Sequence, residues 1–169
     1  MNNLWIENIS RYVILVLLQV TLLDNIWFLG YINPYLYVLF ILLLPLNLNQ
    51  WKVLFISFLA GLSIDMFHDS GGVHAAACLV IAYFRPYLLR WVFGVSFEHQ
   101  TLKYSQTPFR QRMVYATIMV VIHHFILFLL EYFDLSFILL ILKKTLFSSI
   151  FTILLIIIGS MLFKRNTST

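Results

Sequence analysis

Apolar runs long enough to cross a membrane recur along this whole chain, with only short polar breaks between them. The longest polar stretch, from about Ser96 to Arg112, is too short to bury a core of its own. A soluble domain carries about 25% charged residues, whereas here 11% are charged and 62% hydrophobic. The chain is therefore expected to be an all-α polytopic membrane protein, a single integral domain over 1–169. In lipid, helices satisfy their own backbone polar groups.

The runs predict six spans, at about 12–29, 35–46, 51–67, 73–93, 113–133 and 145–163. Arg11 precedes the first. Gln19, Asp24 and Asn25 stand where a cleavable signal would need small residues, so this run is expected to stay as a span. Gln19 is expected to bond a neighbouring helix and Asp24 to face the headgroups. Asn33 and Pro34 form a breaker, and Tyr35 and Tyr37 fall where an aromatic belt is expected. The second span is short for a crossing at roughly 1.5 Å per residue, and Pro45 ends or kinks it. Asp134 to Leu142 is apolar but too short to span, and Lys143 and Lys144 cut it from the last run. Those lysines either pair with nearby carboxylates or mark a re-entrant or interfacial piece.

An even number of spans puts both termini on one side. With that side cytoplasmic, Arg11, Lys52, Arg85, Arg90, Lys103, Arg110, Arg112, Lys164 and Arg165 fall inside, and only Lys143 and Lys144 outside. The positive-inside rule then selects N-in, C-in. The same distribution argues against nucleic acid. The formal charge is +4, but the basic residues sit singly or in pairs at the ends of apolar runs, as topology signals do and a phosphate-binding face does not.

The stretch Gly61 to Arg90 organises the rest. It holds two apolar runs around a polar turn and sets Asp65, His74 and Arg85 at or near membrane depth, where ionisable groups are costly. Ser57, Gly61 and Asp65 recur every four residues, so they share one helix face. Ser57 and Gly61 form a small-xxx-small pair that lets another helix come close. His68 to Gly72, with Asp69 inside it, reads as a turn. It is short enough for Asp65 and His74 to meet across antiparallel neighbours. Arg85 lies about eleven residues beyond His74, roughly 16 Å along the axis, too far to join that pair. It and Arg90 are expected to snorkel towards the headgroups. At Pro86 the fourth helix either kinks or ends.

Catalytic and metal patterns are weak, and no enzyme activity, cofactor or metal is expected. His68 and His74 are six apart across glycines, and no His-Glu-x-x-His run is present. Ser63 has neither an elbow motif nor a base beside it. His123 and His124 point about 100° apart on a helix and cannot easily share an ion. Cys78 is the only cysteine and reads as a small core residue.

The segments INPYLYVLFILLLP (Ile32 to Pro45) and GLSIDMFHDSGGVHAAACLVIAYFRPYLLR (Gly61 to Arg90) resemble the rod-shape-determining MreD family, in the form found in Bacteroidota. The more specific part is IDMF…G-x-HAAA…RP-x-x-LR. The resemblance implies a non-enzymatic subunit of the bacterial inner membrane that helps organise lateral peptidoglycan synthesis. Its implied partners are an MreC-like single-span protein and other cell-wall elongation proteins. The implied fold is similar to the six-helix substrate-binding subunits of energy-coupling-factor transporters, which leaves a small-ligand-binding transporter subunit as the alternative. As helix-packing or partner-facing positions we single out Asn33, Pro34, Tyr35, Ser57, Gly61, Asp65, Asp69, Gly72, His74, Arg85 and Pro86.

Overall fold

The computed structural model describes residues 2–26, 32–46, 48–94 and 107–162. These residues are all-helical, in the order α1 (Asn2–Thr21), a 3-10 turn (Leu23–Asn25), α2 (Val38–Leu43), α3 (Gln50–His68), α4 (Val73–Phe93), α5 (Phe109–Tyr132), a second 3-10 turn (Leu135–Phe137) and α6 (Ile138–Leu162). Four segments are long and apolar enough to cross a membrane: Gln50–His68, Val73–Phe93, Phe109–Tyr132 and Leu135–Gly159. Helices α3, α4, α5 and α6 pack in that order, and α1 lies against α3 and the chain around α2.

Two predicted spans take different bounds. The first helix starts ten residues earlier than the apolar run and stops at Thr21, not Leu29. Nothing in Asn2 to Arg11 breaks a helix. At the other end Thr21, Asp24 and Asn25 offer competing side-chain bonds: Asn25 Nδ2 donates to the Thr21 carbonyl at 3.0 Å. Residues 27–31 lie outside the described part. The second span contracts to the six residues of α2. Pro34 limits the chain on one side, and Leu44, held before Pro45, takes the extended φ −54°, ψ 142°. Irregular backbone has polar groups that need partners within the protein when it is buried, and Ile32, Tyr35, Tyr37, Val38, Ile41, Leu42, Leu44 and Leu46 are all buried. We call 32–46 the central segment.

A third difference concerns Lys143 and Lys144. They do not interrupt a helix; α6 runs through both. Lysine is a good helix former, and a charge does not break the backbone ladder. Lys144 turns back onto α5, with Nζ 3.7 Å from Glu131 and over the rings of Tyr132 (4.8 Å) and Phe128 (5.5 Å). Of the two readings left open, carboxylate pairing is the one this residue adopts.

The α3–α4 hairpin forms as the sequence suggests. Asp69 ends α3 with φ 51°, and Gly71 and Gly72 follow at φ 67° and 97°, where a side chain is rarely accommodated. The buried stripe of α3 is Val53, Ser57, Ala60, Gly61, Ile64 and Asp65, which is the face predicted from the four-residue spacing. A Cβ on Gly61 would stand 2.5 Å from Ala75 Cα and 2.6 Å from the His74 carbonyl oxygen. The two backbones therefore meet here.

Pro86 neither ends α4 nor leaves a bare break: the helix continues to Phe93. Proline has no N–H for the carbonyl four residues back, which is that of Ala82. Gln50, the first residue of α3, donates its Nε2 to that carbonyl at 2.9 Å. Gln50→Leu is expected to lower thermal stability in detergent by about 1–2 kcal/mol, the cost of a buried acceptor left unmade. A double variant with Pro86→Ala should lose most of that penalty. Equal cost on both backgrounds would show that Gln50 acts elsewhere.

Candidate functional site

The polar side chains scattered through the apolar runs gather around the central segment. Tyr35 and Tyr37, expected in an aromatic belt, are core residues at 8% and 1% exposure. The Tyr37 hydroxyl lies 2.8 Å from His74 Nδ1 and 2.8 Å from His123 Nε2. It has one proton to give and lone pairs to receive, so it donates to one ring and accepts from the other. Cys78 Sγ stands 4.0 Å from the same His123 nitrogen.

His124 is fixed by a second chain. Its Nδ1–H donates to the Val120 carbonyl at 2.8 Å, and its Nε2 lies 3.2 Å from the Thr152 hydroxyl. The Thr152 oxygen in turn accepts the Tyr35 backbone N–H at 3.0 Å. Both neighbouring histidines are buried and hydrogen-bonded, each to a different element.

Gln19 closes the entry to the central segment. Its Nε2 donates to the Pro34 carbonyl at 2.9 Å and to Asp24 Oδ1 at 2.7 Å, and its Oε1 accepts the Leu36 N–H at 2.8 Å. The partner of Gln19 is therefore the segment's irregular backbone as well as Asp24. Asp24 does not simply face headgroups: its Oδ2 is 2.6 Å from His68 Nε2.

Asp65 and His74 do come together, but not side chain to side chain. Asp65 Oδ1 accepts the His74 backbone N–H at 3.0 Å, and Oδ2 accepts that of Ala75 at 2.8 Å. Ser70 Oγ adds a third bond at 2.5 Å. A carboxylate from α3 thereby caps the first turn of α4, whose own N-cap, Gly72, has no side chain to do so. The His74 ring is free to reach Tyr37.

Arg85 also departs from expectation. It is 2% exposed and does not snorkel. One of its terminal nitrogens, Nη2, reaches the carbonyl oxygens of Leu44 at 2.6 Å and Pro45 at 3.3 Å. It sits at the carbonyl end of α2, where a cation complements the helix dipole. Snorkelling needs a clear route along the helix, whereas this side chain is enclosed, with the Tyr115 hydroxyl facing it. Asp65 and Arg85 therefore do opposite jobs, one at an N–H end and one at a C=O end.

The other singled-out positions are structural in this arrangement. Pro34 supplies a carbonyl, Tyr35 an N–H, and Asn33 is half-buried beside them. Gly61 lies against α4 and Ser57 is buried one turn away on the same α3 face, Asp69 is exposed in the turn, and Gly72 starts α4. Sequence reasoning missed Tyr37, Gln50 and Thr152. A hydroxyl inside the apolar α6 run was the available signal for Thr152; Gln50 gave none, because it ends a polar loop.

Chemically, the cluster is a set of hydrogen bonds between side chains and backbone of different helices. Ser63 bonds the Leu59 carbonyl and the Tyr12 hydroxyl. Among the described residues no three His, Cys, Asp or Glu side chains are grouped to hold a metal. A shallow groove of about 430 Å³ lined by Trp91, Val92, Pro108, Arg110, Gln111 and Val114 lies at the opposite end of α4 from His74. Comparison with known protein families, curated proteins and solved structures gives no match.

Proposed function

We propose that this chain is a non-enzymatic, multi-pass subunit of the bacterial inner membrane, of the MreD kind, that serves as a scaffold for lateral cell-wall synthesis by binding an MreC-like protein. One observation carries the reading. The residues that resemble the family are the ones that join helices to each other. Gly61 meets Ala75, Asp65 caps α4, His74 reaches Tyr37, and Arg85 holds Leu44 and Pro45. Residues spent on internal joints suit a rigid platform whose outer surfaces do the binding.

Six crossings with both termini cytoplasmic belong to the same proposal. The nine-to-two division of basic residues supports the orientation. Support for the second crossing comes from the central segment, which touches His74 at Tyr37 and Arg85 at Leu44. Those two contacts are eleven residues apart on α4, roughly 16 Å of depth. Reporters fused after Thr169 and within Ser96 to Arg112 are expected to read cytoplasmic, and a signal from the other side would overturn the orientation.

The direct test is affinity purification of the full chain from native membranes. The expected companion is a single-span protein with a large extracytoplasmic part. Recovery of a stable bundle with no protein above the untagged control would overturn the scaffold reading. A co-purified small molecule in its place would favour a ligand-binding transporter subunit.

A further inference from the structure

The end of the bundle where α3 turns into α4 carries a polar pair with no part in the joints of the family-like pattern. Asp24, in the 3-10 turn after α1, divides its two oxygens: Oδ2 faces His68 Nε2 at 2.6 Å, and Oδ1 accepts from Gln19 at 2.7 Å. Gln19 is fully buried and spends its other bonds on Pro34 and Leu36. A continuous path of hydrogen bonds thus runs from His68 through Asp24 and Gln19 to the backbone of the central segment. Its outer end is open to solvent, with the side chains of His68 and Asp24 25% and 13% exposed. Its inner end is closed.

The groups that face the pair are few. Asp65 and the ring of His74, 5.3 Å from the His68 ring, face it from α3 and α4. From the central segment Tyr35 faces Asp24. None of them replaces either partner, because Asp65 is committed to the N–H groups of α4 and His74 to Tyr37.

We propose that Asp24 and His68 form a charge-dependent latch that sets how firmly the central segment is held. While the imidazolium and the carboxylate are both ionised, Asp24 is fixed and aligns Gln19 on Pro34 and Leu36. Loss of either charge weakens the pair, frees Gln19, and loosens residues 32–37 at their entry to the bundle. An ordinary imidazole titrates at about 6.5, and a carboxylate at 2.6 Å favours the charged form of His68. A histidine that gains an anionic partner contributes stability that is present at low pH and is lost as pH rises through its folded titration. The latch therefore closes on mild acidification and opens on the alkaline side.

The test is hydrogen–deuterium exchange of the full chain in lipid nanodiscs between pH 5.5 and 9, corrected for the intrinsic pH dependence of exchange. In the wild type, peptides covering 19–26 and 32–37 are expected to lose about threefold to tenfold protection across this range, the scale of one partly buried charge-assisted pair. Peptides from 115–128 in α5 serve as the internal reference and should stay constant. His68→Gln and Asp24→Asn keep polar atoms but no charge, so both are expected to show the open level at every pH. Flat protection in the wild type would overturn the latch, and so would a His68→Gln profile that follows the wild type. Parallel loss in the α5 reference would overturn it too, since that marks loosening of the whole bundle.

Discussion

Gly61→Ala is expected to destabilise the bundle by about 2–3 kcal/mol, even though alanine gains about 1 kcal/mol in helix propensity over glycine. The new Cβ would lie 2.5 Å from Ala75 Cα and 2.7 Å from Ala75 N. These are backbone atoms of another helix, and no rotamer change moves them. Relief requires α3 and α4 to separate, and separation also pulls Asp65 from the N–H groups of His74 and Ala75. Two losses are therefore coupled, and Gly61→Leu should fail to give a monodisperse protein. Unfolding in detergent, followed by tryptophan fluorescence, measures the alanine variant. A stability equal to or above the wild type would show that the helices do not meet at this position.

Asp65→Ala is expected to cost about 3 kcal/mol or more. A lost cap accounts for about 0.5–2 kcal/mol, and leaving buried donors without a partner adds about 1–3 kcal/mol. Asp65 is 5% exposed, so water does not readily replace it. Asp65→Asn keeps one oxygen acceptor and should fall between alanine and wild type. Recovery of the MreC-like partner proposed above should decline in the same order, because the turn carrying Asp69, Ser70, Gly71 and Gly72 is anchored by this carboxylate. A variant series that loses stability but keeps full partner recovery would place the partner surface away from this turn.

The sequence was most legible where one residue type has one plausible use. Four-residue spacing identified the buried face of α3 and the close contact at Gly61. The glycines after His68 marked a turn that is present, and the helices α3, α4 and α5 fall close to their apolar runs. Legibility ended where apolar content and helix formation part company. Tyr35 to Leu46 reads as a greasy helix, yet two prolines leave only Val38–Leu43 helical. Lys143 and Lys144 read as a boundary, yet lysine continues α6.

The candidate site was only half legible. Asp65, His74 and Arg85 are central, but their partners are backbone groups and a tyrosine, which no pairing of charges in the sequence could indicate. Arg85 reads as a headgroup anchor because nothing local reveals that two carbonyls forty residues earlier lack partners. The same applies to Gln50, whose use is defined by a proline on the next helix. Long-range repair of backbone defects leaves no periodic trace.

The central segment also sets an order of events during synthesis. Its amide at Tyr35 is satisfied by Thr152, 117 residues later in the chain, and its carbonyls at Leu44 and Pro45 by Arg85, 41 and 40 residues later. At about 5–20 residues per second, the ribosome takes roughly 6–23 s to travel from Tyr35 to Thr152. For that interval the segment lacks one of the groups that hold it in the bundle. A nascent chain must shelter it at the membrane surface, in the insertion machinery or against α1 through Gln19. Final seating then waits for α6, so a helix made late completes the burial of a segment made early.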